Sequence, residues 1–396
     1  MTRGRIHTAI IAAVLIAVPL LSQTKELVGY YPSWKWNMPD HFLAPENIPY
    51  GKLTVINYAF FYPGPDGSLI GRDTAGDALI LGRPTAEGTV DEQGRSRLTD
   101  QAHRHGVRVL LSVGGWEDSG NFPAVSSTPS TRETFAHSCL RQIRTFGFDG
   151  IDIDWEYPGY TDHNGTPQDR ENFTLLLRTL SDSLTALGRK NGRHLFLTAA
   201  MPAFESALKN YDIDSIAVLL DYLNIMTYDF NGPWSPLSGH NAPLFASSAA
   251  DSLANVDAAF NLYTRTHKVP AAKINLGVPF YGHAFANCAS LNARHAGVDT
   301  VGFPGQGAFY YDIASRLKEC TRYWDEKAKV PFLICAKTHT FVSYDDPESV
   351  ALKAGYVLDK NARGLIIWEV TGDRMPDGST PLLDAIWSTW KSSPVK

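Results

Sequence analysis

Phe148-Asp149-Gly150-Ile151-Asp152-Ile153-Asp154-Trp155-Glu156 sets four carboxylates within eight residues of a segment whose other members read as a buried strand. In an extended chain successive side chains point to opposite faces. Asp152, Asp154 and Glu156 therefore share one face, and Ile151, Ile153 and Trp155 the other. Asp149 falls outside the acidic parity and reads as structural support for the run. Like charges this close cannot all stay ionised at neutral pH, so at least one of the three should hold a proton and be able to act as an acid. The bare pattern Asp-x-Asp-x-Glu also suits a salt-bridged strand or a divalent-cation loop, so the run alone leaves catalysis and metal binding both open.

Working outward, short β-rich runs alternate with helical patterns, the layout of a parallel α/β sheet with crossovers. Strands are expected at 27–31, 54–60, 108–113, 150–155, 196–201, 222–226, 274–279 and 365–368. Eight strand and helix units closing on themselves make a (β/α)8 TIM barrel, whose site forms at the carboxyl ends of the strands. The interval between the seventh and eighth runs is far longer than one crossover needs. Residues 283–340, with a helical run from Ile313 to Tyr323 and short β-like pieces, are expected to form a small α+β insertion subdomain between strand 7 and strand 8. No repeat or Pro/Ser-rich linker points to a further module.

The 396 residues are 44% apolar and 19% charged, enough for a large core. A net charge of -5 without a basic run argues against a nucleic-acid partner held by phosphate neutralisation. Nine Trp and seventeen Tyr suit stacking against sugar faces, although most aromatic side chains serve cores. Met1-Thr2-Arg3-Gly4-Arg5 followed by the apolar stretch Ala9 to Leu21 reads as a secretory signal over 1–23 with the mature chain at 24–396. Leu20-Leu21-Ser22-Gln23-Thr24 lacks a small-x-small cleavage pattern, which leaves an uncleaved anchor open. After cleavage the expectation is a secreted monomer without stable membrane association. Cys139, Cys288, Cys320 and Cys335 have no metal-ligand spacing. Three of the four crowd into the later segment, where a disulfide is expected, with Cys139 a buried apolar residue on a helix.

The expected strand ends carry Tyr30, Phe60, Ser112-Val113-Gly114-Gly115-Trp116, Met201-Pro202, Met226-Thr227-Tyr228-Asp229, Pro279-Phe280-Tyr281-Gly282 and Trp368. Each alone would pass for packing, and Ser112, Gly114 and Gly115 for a tight turn. Their common placement at the carboxyl face of one barrel makes them site candidates.

With Asp149-Gly150 in front and Tyr157-Pro158 behind, the acidic run resembles the signature of glycoside hydrolase family 18, the chitinase family. The resemblance extends through Ser112 to Gly115, Met226 to Asp229, Phe280-Tyr281-Gly282 and Trp368, in order, and includes the subgroup with an α+β insertion before the last strand. It implies hydrolysis of chitin or chitooligosaccharide with retention, in which the substrate's N-acetyl oxygen attacks and no cofactor or metal takes part. Glu156 would be the general acid and base. Asp154 would turn to the acetamido N–H, Asp152 would share a proton with Asp154, and Tyr228 would hold the acetamido oxygen. Trp368 would floor the site. Asp229, Met226, Tyr30, Phe60, Trp116, Gly115, Met201, Tyr281 and Tyr157 would be substrate contacts. His283 stands where many relatives carry Arg, which puts a contact to the sugar or a neighbouring carboxylate in question. Alternatives are a chitinase-like lectin, which usually lacks the acid, and a hydrolase of the N-linked glycan core. A metal-dependent barrel hydrolase ranks last, because no His lies in the acidic strand.

Overall fold

In the computed structural model, which describes residues 25–38, 43–83, 98–248, 252–303 and 308–392, the eight expected runs form one closed sheet. The expected signal segment lies outside the described residues. The strands, in chain order, are β1 (Glu26–Pro32), β2 (Val55–Pro63), β3 (Leu69–Gly71), β4 (Arg108–Gly114), β5 (Gly150–Asp154), β6 (Phe196–Pro202), β7 (Tyr222–Met226), β8 (Ile274–Pro279), β9 (Tyr281–Phe285), β10 (Ala308–Phe309), β11 (Thr321–Asp325), β12 (Val330–Cys335), β13 (Thr340–Ser343) and β14 (Gly364–Trp368). Parallel pairing runs β1-β2-β4-β5-β6-β7-β8-β14 and returns to β1, so the barrel has no free edge. Within the barrel sheet the sequence reading omitted the three-residue β3, which pairs antiparallel to the end of β2.

Strand parity divides the apolar side chains into two cores. Val28, Tyr30, Val55, Leu110, Ala200, Tyr222 and Ile366 face the barrel interior. Leu27, Ile56, Val109, Ile151, Ile153, Leu223 and Leu365 face the surrounding helices. Trp155, fully buried, joins the outer core, stacking on Phe122 at 5.1 Å and meeting Phe173 edge-on at 5.6 Å. Its burial anchors the carboxyl end of β5 with about 1.5–3 kcal/mol of apolar transfer free energy.

The amino-terminal end of the barrel is tied by charge. Glu26 accepts two hydrogen bonds from Arg363 at 2.9 Å and pairs with Arg108. Asp149 accepts from the Val109 amide and His103 at 2.8 Å and from Arg193 at 3.1 Å, the supporting role its parity suggested. The helix Pro129–Phe146 starts on a capping box made by Thr128 and Thr131, and the helix Pro347–Asp359 on one made by Asp346 and Ser349.

The insertion is a five-stranded antiparallel sheet in the order β10-β9-β13-β12-β11, with its first strand beginning at Tyr281 and its last residues in β13 at Ser343. The expected helix over Ile313 to Tyr323 is corrected here: only Tyr310–Ser315 is helical, and Thr321–Asp325 is strand β11. A β-branched and aromatic run, Thr321-Arg322-Tyr323-Trp324, is held in the sheet by Tyr323 stacked on its cross-strand partner Phe332 at 5.3 Å and by the Cys320–Cys335 disulfide. Cys139 and Cys288 are free and buried, Cys139 on the helix Pro129–Phe146. No helix among the described residues is long and apolar enough to cross a membrane.

Candidate active site

β4 and β5 approach closely at their carboxyl ends because two glycines permit it. Gly114 has φ 113°, and a Cβ there would lie 2.2 Å from the Asp154 carbonyl oxygen; Gly115 has φ 88°, and a Cβ would strike the Phe60 ring at 2.6 Å. The register of β2 against β4 shifts between Tyr58 and Phe61, which lets Phe60 turn into the interior beside Ala59. Phe60 then lies over Trp368 at 5.6 Å with 17° between the rings, and Trp34 extends the layer on its other side at 6.1 Å. Non-proline cis peptide bonds occur at Ala59–Phe60, Glu156–Tyr157 and Trp368–Glu369.

Asp152 is fully buried and receives four hydrogen bonds from four other strands. Tyr30 (2.8 Å) and Ser112 (2.8 Å) donate to Oδ2, Thr198 (2.5 Å) and Asn224 (3.1 Å) to Oδ1. Burial raises its proton affinity above the ordinary carboxylate range, and these four donors pull it only part of the way back. Asp154 lies on the same strand face and close enough for the Asp152 charge to add to its upward shift.

Asp154, also buried, has an Oδ1 with no hydrogen-bond partner among the described residues. Burial first, then the charges of Glu156 and Asp152, raise its proton affinity well above the usual carboxylate range. Glu156 is half-buried and pushed up to about 7, mainly by desolvation and further by the Asp229 charge, against a hydrogen bond from Tyr157. Its backbone N–H donates to Ser119 Oγ at 2.9 Å. One side chain at the strand end thus has a proton donor's affinity near neutrality, and its neighbour holds a proton more tightly than an ordinary carboxylic acid.

Tyr228 is buried and packs edge-on to Tyr281 at 6.2 Å, and burial first, then the nearby Asp154 and Glu156 carboxyl groups, hold its hydroxyl protonated. Asp229, in the left-handed region at φ 58°, has its carboxylate held at Oδ1 by the Tyr281 hydroxyl (2.7 Å) and His283 Nε2 (2.8 Å), while its side chain stays 44% exposed. His283 therefore does make a carboxylate contact. Trp116, 48% exposed, and Tyr157 stand at the cleft rim 6.4 Å apart; Met226 is buried in the interior cluster.

Two sequence assignments are altered by position. Met201 is fully buried in the helix-facing core, because on β6 Thr198 and Ala200 hold the inward parity; it does not reach the cleft. Tyr30 is 1% exposed and its hydroxyl is committed to Asp152, so in the free protein it acts on the acid cluster. Residues that sequence reasoning did not select are Ser119, Trp34, Asn241, Asn224 and Trp234. Asn241 accepts from the Asp229 amide at 2.8 Å, and Trp234, 65% exposed, meets His283 edge-on at 5.1 Å. A tryptophan six residues beyond Tyr228 was the one available signal; the others depend on contacts distant in sequence. Behind Trp368, Glu369 accepts from Thr371 and pairs with buried Lys35 at 3.3 Å, whose ammonium lies 3.7 Å from the Phe309 ring centroid of the insertion. Among the described residues no group of three His, Cys, Asp or Glu side chains is arranged to hold a metal ion.

The family described as Glycosyl hydrolases family 18 matches residues 26–373. Chitinase A1 of Niallia circulans is 35% identical over 401 residues, covering 88% of this chain and 56% of that protein, so the chain spans little more than half of that relative. Endochitinase 1 of Metarhizium robertsii is 31% identical, with 86% and 81% covered. Among solved structures, a chitinase of Bacillus thuringiensis superposes with a TM-score of 0.81 at 30% identity, covering 94% of this chain and 71% of that one. The Group IV chitinase of Ostrinia furnacalis gives 0.81 at 29% identity, covering 93% and 100%.

Proposed function

The chain belongs to glycosyl hydrolase family 18, and from that premise we propose that it is an exported, monomeric chitinase that hydrolyses β-1,4 bonds between N-acetylglucosamine units with retention. The observation that carries the reading is the pairing of Glu156, poised near neutrality, with a buried Asp154 of raised proton affinity whose Oδ1 is unengaged. Glu156 gives its proton to the glycosidic oxygen as the bond from the anomeric carbon breaks, and the aglycone leaves as an alcohol. The N-acetyl oxygen of the same sugar forms the new bond to that carbon and gives a cyclic oxazolinium ion. Water then attacks from the face the aglycone vacated and returns a proton to Glu156, which closes the cycle with the original configuration.

Within that scheme Asp154 offers an acceptor to the acetamido N–H, supporting the positive charge that develops, and the Tyr228 hydroxyl donates to the acetamido oxygen and keeps it in line. Asp152, held by its four donors, is fixed beneath them. Trp368, backed by Phe60, supplies an apolar floor for the distorted sugar, and Asp229, Trp116, Tyr157 and Tyr281 serve as wall contacts.

The test is release of fluorophore from chitobiose and chitotriose glycosides by wild type and Glu156→Gln, with a chelator present. Turnover that survives chelation and is lost in the variant is expected. A folded wild type that binds chitooligosaccharide without cutting it would replace the reading with a lectin.

A further inference from the structure

β8 reads Ile274-Asn275-Leu276-Gly277-Val278-Pro279, and Asn275 is its one polar side chain. Asn275 is fully buried, on the same parity as Asn224, its registered partner in β7. A primary amide in such a place costs free energy unless its hydrogen bonds are made. Asn275 makes one: Nδ2 donates to Asn224 Oδ1 at 3.0 Å. Asn224 Nδ2 in turn donates to Asp152 Oδ1 at 3.1 Å. Asn275 Oδ1 has no partner among the described residues.

The direction of this relay follows from its end. A carboxylate oxygen accepts, so Asn224 must present its NH2 to Asp152, which leaves its own oxygen facing β8 and requires an NH2 there. The two amides lie head to tail with their positive ends toward Asp152. The arrangement satisfies the acid at the expense of Asn275's own oxygen, which is not what a device for stability alone would do.

We propose that Asn275 is a positioning residue for hydrolysis, acting through Asn224 to hold Asp152 as a hydrogen-bond acceptor beneath Asp154 and Glu156. The proposal rests on the functional reading above. The titratable groups around Asp152 are Tyr30 from β1, Asp154 on its own strand, Tyr222 of β7 and Tyr228 just beyond it. Ser112 of β4 and Thr198 of β6 contribute only hydroxyls, and all four titratable neighbours are neutral or anionic. The amide relay is thus the source of orienting positive potential from the β7 and β8 side.

The experiment compares wild type with Asn275→Leu, of the same branched shape but without the donor, on a fluorogenic chitotrioside across the pH range. With the relay cut, Asn224 is free to turn, and Asp152 takes up a proton at higher pH. The expected result is kcat lower by about tenfold with KM within about twofold, and the acid limb of the kcat profile displaced to higher pH. Asn275→Thr, which suits a strand and cannot reach Asn224, carries the same readings if the leucine variant does not fold. A variant that is less heat-stable yet has unaltered kcat and acid limb would overturn the positioning role while leaving the functional reading intact. A folded wild type without turnover on this substrate would overturn both.

Discussion

Ser119 Oγ accepts the backbone N–H of Glu156 at 2.9 Å and donates to the Gly115 carbonyl at 2.8 Å, so one hydroxyl clamps the acid's main chain to the end of β4. Ser119 is fully buried. Ser119→Ala would leave a buried N–H unpaired, a loss of about 1–3 kcal/mol that falls at the acid itself. We expect kcat to drop about tenfold or more, by misplacement of Glu156, while affinity for chitotriose measured with Glu156→Gln in the same background changes little. A stability loss without a kcat loss would show that the clamp serves folding only.

The proton on Glu156 should set the alkaline limb of activity. With its carboxyl pushed up to about 7, kcat/KM should fall by about tenfold per pH unit above that point as the acid form is depleted. The Asp229 charge contributes to the upward shift, so Asp229→Asn should move the limb toward lower pH. Profiles of kcat/KM for the two proteins check this, and a limb that moves upward would contradict the assignment of Glu156 as the acid.

Stability should respond to the same groups with a definite sign. Asp154 is raised in the folded state above its unfolded value of about 3.9. Between those values the native protein binds more protons than the unfolded chain, so stability is present at low pH and is lost as pH rises toward the folded value. Asp154→Asn removes this penalty. Its Tm should exceed that of wild type at neutral and alkaline pH, with the gap closing below about pH 4. A gap that widens on acidification would mean that the native site prefers the carboxylate.

What could be read from the chain follows the physics of strands. Period-two burial is local, so the barrel strands were legible to within three residues at their ends, and the parity of Asp152, Asp154 and Asp149 with them. Phe196 to Pro202 shows the limit: Met201 ends an expected strand but sits on the outward parity, and only the register of Thr198 toward Asp152 reveals it. β11 was misread because its aromatic and basic residues also suit a helix face, and what decides the matter is a disulfide and a cross-strand partner nine residues away in Phe332. Ser119, Asn224, Asn241 and Asn275 act through contacts between residues far apart in the chain, which carry no periodic signal.

The insertion should report on substrate binding more than on chemistry. The Cys320–Cys335 bridge closes a separation of 15 residues around the β11–β12 hairpin, a constraint of about 3 kcal/mol on the unfolded segment. Asp325 at the end of β11 bonds His240 (3.1 Å) and Ser247, and Ser343 of β13 accepts the Asn241 amide at 2.7 Å. Asn241 in turn holds the Asp229 amide. Loosening the hairpin therefore loosens the loop that carries Asp229, while Asp152, Asp154 and Glu156 stay on the barrel. Replacing both cysteines with serine should raise KM for chitooligosaccharides severalfold, leave kcat within about twofold, and increase amide hydrogen exchange over β11 and β12 with β4 to β7 unaffected. If kcat fell as far as kcat/KM, the insertion would have to act on the acid cluster itself, and the chain from Asp325 to Asp229 would not be the route.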